Sequence, residues 1–312
     1  MAKIHAIYRY PIKGLSPEPL KRASLAPGQT IPGDRLYAIE NGPSGFDAAA
    51  PAYLAKTHFL MLMKNERLAR LRTNFDQQNH TLTITSPSPQ RGEGVRTGEL
   101  VSADLRTAEG RAAIETFFAN FCADELRGSP KLLHADGHSF SDVARKVLSI
   151  INLASVAAIE DMVDAPVHPL RFRGNLYVEG LPAWSELDLV GRELKIVPHK
   201  PSPPPQAGEG SLFFPPPQAG EGSSFFPPPL AGEGQGGGKS TSPAGEPAAP
   251  VRIKVVKRIV RCAATNVDPD TAMRDLEIPQ ALLRHLGHAD CGIYAEVIQG
   301  GEIEQADRIE IV

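Results

Sequence analysis

The chain has 312 residues, a formal net charge of -3 and 41% hydrophobic residues, which is enough for two modest hydrophobic cores or one large one. The near-neutral charge argues against a dedicated nucleic-acid binder, whose phosphate contacts need a basic surface, and no apolar run reaches the roughly 20 residues that cross a bilayer. An odd number of cysteines without a signal peptide indicates reduced thiols in a cytoplasmic protein; they are Cys122, Cys262 and Cys291.

The first half of the chain is predicted to contain short strands followed by two helices. Residues 3–12 and 34–41 predict strands around a loop, and residues 68–86 predict a strand, a polar turn and the alternating strand "TLTIT". Residues 107–122 have helical spacing with apolar side chains on one side. Residues 149–163 predict a second helix with an apolar start.

The second half is predicted to return to strands. Residues 171–180 and 191–197 predict two of them, and residues 251–262 predict a long strand that pairs back across a low-complexity insertion. Residues 278–287 predict a short helix, because a proline stands in the first turn and a glycine at the end. Residues 291–312 predict two closing strands joined at "QGG".

Many short strands with turn signals between them are typical of barrel-like β architecture. We therefore predict an α+β, predominantly β fold with two β-barrel-like domains and peripheral helices. The expected domains are residues 1–105 and residues 106–312, with the second domain interrupted by a disordered insertion over residues 200–250.

The insertion contains a repeat. "PPPQAGEGSLFF" (203–214) is followed by "PPPQAGEGSSFF" (215–226), and a shorter relative, "SPSPQRGEG", occupies residues 86–94. Proline removes backbone donors and glycine raises the ordering cost, so a packed core is not expected in these segments. A proline-rich ligand for a partner domain is the alternative interpretation of the tract. A phosphate-binding loop is rejected, because the required first glycine is replaced by Glu233.

Cys262 is the principal candidate for chemistry. It follows the basic strand "VRIKVVKRIV" and precedes a polar, turn-prone run that includes Thr265 and Asn266 as donors and acceptors. Nearby positive charge favours the thiolate, which is the form that attacks electrophiles or binds metals. The alternative is a small buried hydrophobic residue.

The other thiols and the histidines give weaker signals. Cys291 is interpreted as a packed residue at a strand start, and Cys122 as a core residue on the helix over 107–122. The three cysteines lack the spacing of a zinc site. His134 and His138 are four residues apart, but Gly137 argues for a loop rather than a metal-binding helix.

Basic and polar residues in three other segments are candidate ligands of an anion. On the predicted strand over 171–180, Arg171, Arg173 and Asn175 would share one face and could clamp a phosphate. An exposed basic face with surface salt bridges is the alternative. The remaining candidates are Lys13 in "YPIKG", Arg35 in "GDRLYAIEN", and Ser141 with Asp142 in "FSDV", whose side chains can hold amides or hydroxyls.

Several segments of the sequence resemble those of a known family. The C-terminal half is similar to the MOSC domain, which is found at the C-terminus of molybdenum cofactor sulfurases and in the mitochondrial amidoxime-reducing component. The first part of the chain resembles the β-barrel domain that often precedes it. The resemblance covers nearly the whole chain apart from the insertions, and it is carried by "YPIKG", "RFRGNLYVEG", "VGRELKI", "VVKRIVRCAATNVDPDT", "CGIYAEV" and "GEIEQADRIEI".

The resemblance implies specific roles. The family is linked to the molybdenum cofactor, in which a phosphorylated pterin (molybdopterin) holds the metal through a dithiolene. In its reductase-like members the cysteine of the "RC" pair binds molybdenum, which assigns Cys262 as the metal ligand. Arg173, Asn175 and Lys13 would help to hold the cofactor, and Lys56 would replace an arginine of a loop near it. A second departure is Ala272, which stands where relatives have glycine after "VDPDT".

Three functions follow from this interpretation. The first is a molybdenum-dependent oxidoreductase that acts on N-hydroxylated or related small substrates with electrons from a separate electron-transfer protein. The second is a sulfur carrier for the assembly of metal–sulfur centres, with a persulfide on Cys262 or Cys291. The third is a binding module without catalysis. All three are expected to be cytoplasmic, with no nucleic-acid or membrane partner.

Overall fold

The computed structural model describes residues 1–85, 99–199 and 250–312. The described residues are mostly strands with three α-helices, which confirms the predicted predominantly β class. The strands are β1 (Ala2–Arg9), β2 (Glu18–Leu20), β3 (Arg22–Leu25), β4 (Ala38–Glu40), β5 (Arg72–Asp76), β6 (Thr81–Thr85), β7 (Glu99–Asp104), β8 (Lys131–Leu133), β9 (Leu148–Asn152), β10 (Leu176–Glu179), β11 (Glu193–Val197), β12 (Val251–Val260), β13 (Asp290–Gln299), β14 (Gly301–Glu304) and β15 (Arg308–Ile311). The helices are α1 (Ala108–Phe121), α2 (Leu153–Val163) and α3 (Ile278–Leu286).

Seven strands form a closed barrel. They follow the order β1-β10-β9-β13-β12-β11-β15, and β1 closes the ring because it pairs with both β10 and β15. All neighbours are antiparallel except β9 and β10, which are parallel. The barrel therefore takes β1 from the start of the chain and its other strands from residue 148 onward. The division into domains 1–105 and 106–312 stays a prediction.

Apolar side chains fill the barrel, and two further clusters lie outside it. Ile7, Ile253 and Ile293 are fully or almost fully buried inside the barrel. A second core packs α1 through Ile114 and Phe118 against the three-stranded sheet β5-β6-β7. A third core packs α2 and α3 against the outer face of the barrel. Shorter pairs, β3 with β14 and β4 with β8, complete the sheets.

Several predicted elements are confirmed. The helices over 107–122 and 278–287 correspond to α1 and α3, and α3 ends at Gly287 in the left-handed conformation. The strand–turn–strand over 68–86 corresponds to β5 and β6. The long strand over 251–262 corresponds to β12, which pairs with β11 across the chain segment between them.

Three predicted elements need correction. Residues 148–152 are strand β9, and the helix predicted from residue 149 begins at Leu153; all five β9 residues are buried, and an apolar run of this kind has no helical or strand period. Residues 169–172 form a 3-10 turn after Pro169, so the strand predicted over 171–180 begins only at Leu176. The two closing strands are three, since a turn at Ala306 separates β14 from β15.

The predicted insertion and repeats fall almost entirely outside the described residues. This applies to residues 86–94 and to residues 200–249 of the predicted insertion. The residues on either side are described, and Ile196 of β11 pairs directly with Val251 of β12. The long connection therefore joins two neighbouring strands of the barrel.

Candidate functional site

Cys262 lies at the rim of a cleft beside the barrel. It follows β12 directly and precedes a 3-10 turn, Ala263–Asn266, whose Thr265 donates two hydrogen bonds to the Cys262 carbonyl, each at 3.0 Å. The Cys262 side chain is partly exposed. The alternative of a fully buried hydrophobic cysteine is therefore wrong for this residue.

The cleft, with a volume of about 230 Å³, brings together residues from distant parts of the chain. Its walls include eight residues that the sequence nominated: Lys13, Arg35, Lys56, Asp142, Arg171, Arg173, Cys262 and Thr265. Opposite the barrel, one wall is formed by Met61, Leu62 and Met63. The first segments of the chain and the end of β12 thus meet at a single site.

Lys13, Arg35 and Arg173 form a cationic cluster. The guanidinium groups of Arg35 and Arg173 lie 4.9 Å and 4.3 Å from the centre of the Tyr10 ring, and Arg35 Nη2 donates to the Arg173 carbonyl at 3.3 Å. Both arginines have left-handed backbone conformations, each with φ of 52°. An aromatic face stabilises cations that are partly removed from water.

Two carboxylates accompany this cluster. Asp34 is buried and paired with Arg35. Asp142, whose side chain is 52% exposed, accepts a hydrogen bond of 2.5 Å from Lys13 Nζ. Burial lowers the pKa of Lys13, although Asp142 opposes that shift. The surroundings of Asp142 would raise the pKa of its carboxyl by desolvation, but Lys13, Arg35 and Lys56 hold that pKa well below its usual range.

Lys56 contacts the sulfur directly. Its Nζ lies 3.2 Å from Cys262 Sγ, close enough for a hydrogen bond. Burial alone would lower the pKa of Lys56, but the charge and the hydrogen bond of Cys262 outweigh burial and raise it. The lysine and the sulfur therefore form an electrostatically favourable pair at the cleft wall.

Arg171 has a structural environment that the sequence did not predict. Its Nη2 donates to Asp268 at 2.9 Å and to Asp275 at 2.7 Å, and its Nη1 donates to the Asn266 carbonyl at 3.1 Å. Arg171 and Arg173 do not share a strand face, because residues 169–172 form a 3-10 turn and Arg173 is left-handed. Arg171 thus ties the turn after Cys262 to the barrel.

Three nominated residues do not line the cleft. Asn175 is buried and bonds Ser149 and the Tyr8 carbonyl through its side chain. Asn266 accepts from the Ile278 amide at the start of α3. Ser141 donates to the Val143 carbonyl at 2.8 Å. Asn175 still acts on the cleft indirectly, because Ser149 lines it.

Arg261 fixes the strand end that precedes Cys262. Its guanidinium donates to the Cys291 carbonyl and, at 2.9 Å, to the Phe172 carbonyl. It lies against Gly292, where an added Cβ would be 2.9 Å from Arg261 Nη2 and 2.6 Å from the Ile150 carbonyl oxygen. A glycine is therefore required at position 292 for this packing.

The other two thiols are buried. Cys291 and Cys122 have no exposed surface, and burial raises the pKa of each to about 12. Their interpretation as packed residues is confirmed. The persulfide considered for Cys291 would need an accessible thiolate, which this environment disfavours.

Sequence reasoning missed two hydroxyl-bearing members of the cleft. Ser149 and Tyr294 line the cleft from β9 and β13, where they alternate with core residues and carry no motif of their own. In "FSDV" both Ser141 and Asp142 were nominated, and Asp142 is the one that lines the cleft.

Metal-ligand clusters and membrane spans are not found in the described ranges. No group of three or more His, Cys, Asp or Glu side chains there could hold a metal ion. His134 stacks on Tyr37 and His138 packs on Phe140, in agreement with the predicted loop. Among these residues, no helix has the length and hydrophobicity needed to cross a bilayer.

The fold and the site define a predominantly β protein with a closed barrel, a cationic cleft and a thiol at its rim. Residues 1–125 match the family model of the MOSC N-terminal beta barrel domain. This match confirms the resemblance of the first part of the chain to that domain. A crystal structure titled APC1665, YUAD protein from Bacillus subtilis, is similar at 12% identity and a TM-score of 0.38, with 99% of this chain and 94% of that chain covered. No curated protein matches the sequence.

Proposed function

We propose that the protein binds the molybdenum cofactor in this cleft and that Cys262 is the protein ligand of the metal. One observation carries the proposal, namely the excess of positive charge around a partly exposed thiol. Lys13, Arg35, Lys56 and Arg173 line the cleft, whereas the carboxylates paired with this group are Asp34 and Asp142. A concave site with uncompensated cations favours an anionic ligand such as a phosphate.

The residues present fit the chemical groups of this cofactor. A thiolate is a soft ligand that suits a metal already bound to dithiolene sulfurs. Arg173 uses Nη1 to bond the Leu15 carbonyl at 2.8 Å, and its planar guanidinium carries further donors suited to phosphate oxygens. Tyr294 also lines the cleft and carries a hydroxyl group that suits the polar edge of a pterin. Since the cofactor brings its own sulfur ligands, a single protein thiolate is sufficient.

When bound, the cofactor would supply redox chemistry at the metal. The residues of this chain would orient it, with Arg35 and Arg173 on its anionic part and Cys262 on the metal. Small N-hydroxylated compounds or related molecules are the proposed substrates. The three cysteines are fewer than the four thiolates of the common iron–sulfur clusters, so the electrons would come from a separate electron-transfer protein.

The test is a metal and pterin analysis of protein purified from cells that make the cofactor. We expect wild-type protein to contain molybdenum and pterin in a fixed ratio and Cys262→Ser to lose the metal. Cys291→Ala is the matched control, because its thiol is buried and away from solvent. Wild-type protein without molybdenum, or equal molybdenum in the Cys262→Ser variant, would contradict the assignment.

The contact between Lys56 and Cys262 favours a second candidate function, sulfur carriage. A cation 3.2 Å from the sulfur would stabilise an anionic persulfide there as well as a thiolate. Sulfur that cyanide releases from wild-type protein but not from Cys262→Ser, in samples free of molybdenum, would support this function. Absence of both molybdenum and labile sulfur would leave the binding module without catalysis as the remaining function.

A further inference from the structure

Arg274 lies at the end of a compact turn that follows the Cys262 segment. The amide of Asp268 donates to the Met273 carbonyl at 2.8 Å, and Val267 and Arg274 form an isolated antiparallel bridge. Ala272 within this turn has a left-handed backbone with φ of 59°. The turn therefore directs the Arg274 side chain back toward the cleft region rather than along α3.

The guanidinium of Arg274 joins the two walls of the cleft. Its Nη1 donates to the carbonyl of Ala263, the residue after Cys262, at 3.1 Å. Its Nη2 donates to the carbonyls of Leu62 and Met63 at 3.1 Å and 2.8 Å, and Glu66 completes the arrangement at 2.9 Å. Leu62 and Met63 line the cleft opposite the barrel.

We infer that Arg274 is a positioning residue that sets the width of the cleft at the Cys262 sulfur and thereby limits the size of the molecule that reaches it. The rigid guanidinium bonds both walls at once, which a flexible ammonium cannot reproduce. The identity of the molecule that enters the cleft rests on the proposed function. The spacing of the cleft walls does not, because it is a property of the chain alone.

A neighbouring ion pair provides a matched control. Asp270, in the same turn, pairs with Arg72 at 2.8 Å and so links the same two parts of the chain. Neither Asp270 nor Arg72 lines the cleft. The exposed Asp270→Asn change removes the charge of this pair, and the bonds of Arg274 to the cleft walls do not involve Asp270.

The experiment compares thiol labelling by two reagents of one chemistry, N-methylmaleimide and the bulkier N-(1-pyrenyl)maleimide. Both attack the Cys262 thiolate, so the ratio of their rates cancels the degree of ionisation and reports access. Peptide mass spectrometry assigns the labelled cysteine. Cys122 and Cys291, which are fully buried, report any opening of the whole molecule.

In Arg274→Met we expect the ratio of the pyrenylmaleimide rate to the methylmaleimide rate at Cys262 to rise about tenfold. A change of this size corresponds to the loss of about one hydrogen bond from a charged donor. The ratio in Asp270→Asn should equal the wild-type ratio, and Cys122 and Cys291 should stay unlabelled. An unchanged ratio in Arg274→Met overturns the inference. An equal rise in Asp270→Asn overturns it too, since any link between the two parts would then suffice.

A second variant decides the matter if Arg274→Met unfolds or labels all three cysteines. Arg274→Lys keeps a charged donor that can reach one wall but cannot bridge both. A ratio above the wild-type value with buried cysteines protected supports the inference, and a wild-type ratio overturns it. Because the labelling needs no cofactor, failure here is distinct from failure to bind molybdenum.

Discussion

The ammonium nitrogen of Lys56 lies 3.2 Å from the sulfur of Cys262, although the two residues are 206 positions apart in the chain. Lys56 belongs to a 3-10 turn, Lys56–His58, in the part that matches the MOSC N-terminal domain, and Cys262 follows the barrel strand β12. The contact brings a cation from one part of the chain to the thiol of the other. It is the most direct sign that both parts build one site.

Replacing the sulfur should change the protonation of this lysine. In Cys262→Ser a neutral hydroxyl remains, so the raised pKa of Lys56 should fall while burial continues to lower it. Lys56 should then react faster with acetic anhydride at about pH 9, below the usual lysine pKa of about 10.4. Competitive acetylation followed by mass spectrometry measures this rate, with Lys254, which is exposed and does not line the cleft, as the internal reference. Equal Lys56 reactivity in both proteins would show that the contact is electrostatically unimportant.

Removing the charge of Asp142 should destabilise the fold. Lys13 is 5% exposed and would keep its ammonium without a carboxylate partner in Asp142→Asn. Breaking a buried pair costs about 3–5 kcal/mol, and because Asp142 is half exposed we expect about 1–2 kcal/mol of the free energy of unfolding to be lost. Urea denaturation at pH 7 measures the loss. Asp188→Asn, which removes a pair 3.4 Å long on an 84% exposed carboxylate, should cost much less.

The effect of Asp142 should also depend on pH with a defined sign. Its pKa is lowered in the folded state, so its contribution is present above the unfolded value of about 3.9 and disappears as the pH falls through the folded pKa. The stability difference between wild type and Asp142→Asn should therefore shrink between about pH 4 and pH 2. A stability difference that grows on acidification would contradict the assigned lowering of the Asp142 pKa.

A methyl group at position 292 should disturb the packing under the cleft. Gly292→Ala places a Cβ against Ile150 and Arg261 in a residue with φ of 81°, whereas Gly287→Ala meets no atom within 4 Å at φ of 75°. Both changes incur the left-handed backbone cost of about 1–2 kcal/mol, and Gly292→Ala adds an overpacking cost of about 1–3 kcal/mol. Thermal unfolding of the two variants measures the difference. Equal losses would show that the space at position 292 is not restricted.

The connection between β11 and β12 should be replaceable. Because Ile196 pairs with Val251, a turn of a few residues can span the gap in place of residues 200–249. Loop-closure entropy predicts a gain of about 2 kcal/mol on shortening a segment of this length to a short turn. The free energy of unfolding of the shortened protein measures it. A marked loss of stability would mean that the removed residues contribute contacts.

Local sequence signals predicted much of the fold, and long-range pairing explains what they did not predict. The helix α1 and the hairpin β5–β6 follow from periodicity and turn residues that act within a few positions. Strand β9 was predicted as helix, because burial on both faces removes the alternation that marks a strand. Ala272 stands where the family pattern has glycine. Its left-handed backbone conformation explains why glycine suits this position.

The site was predicted in composition rather than in geometry. Arg35 and Arg173 were nominated from separate segments, but their meeting on the Tyr10 ring depends on barrel closure, which no local pattern encodes. Arg171 resembled Arg173 in sequence, yet its neighbours Asp268 and Asp275 lie about a hundred residues away. The roles of such similar residues are decided by tertiary contacts.

The pairing of Ala2 with Ile309 has a consequence for biosynthesis. As the ribosome delivers the chain, β2 follows β1 at once and can pair with residues 7–9, but the partners of the remaining part of β1 are translated only with β10 and β15. Until then the backbone donors and acceptors in the first part of β1, which β2 does not cover, are an open template for unwanted intermolecular association. A holding chaperone that shields this nascent strand would therefore raise the yield of native protein.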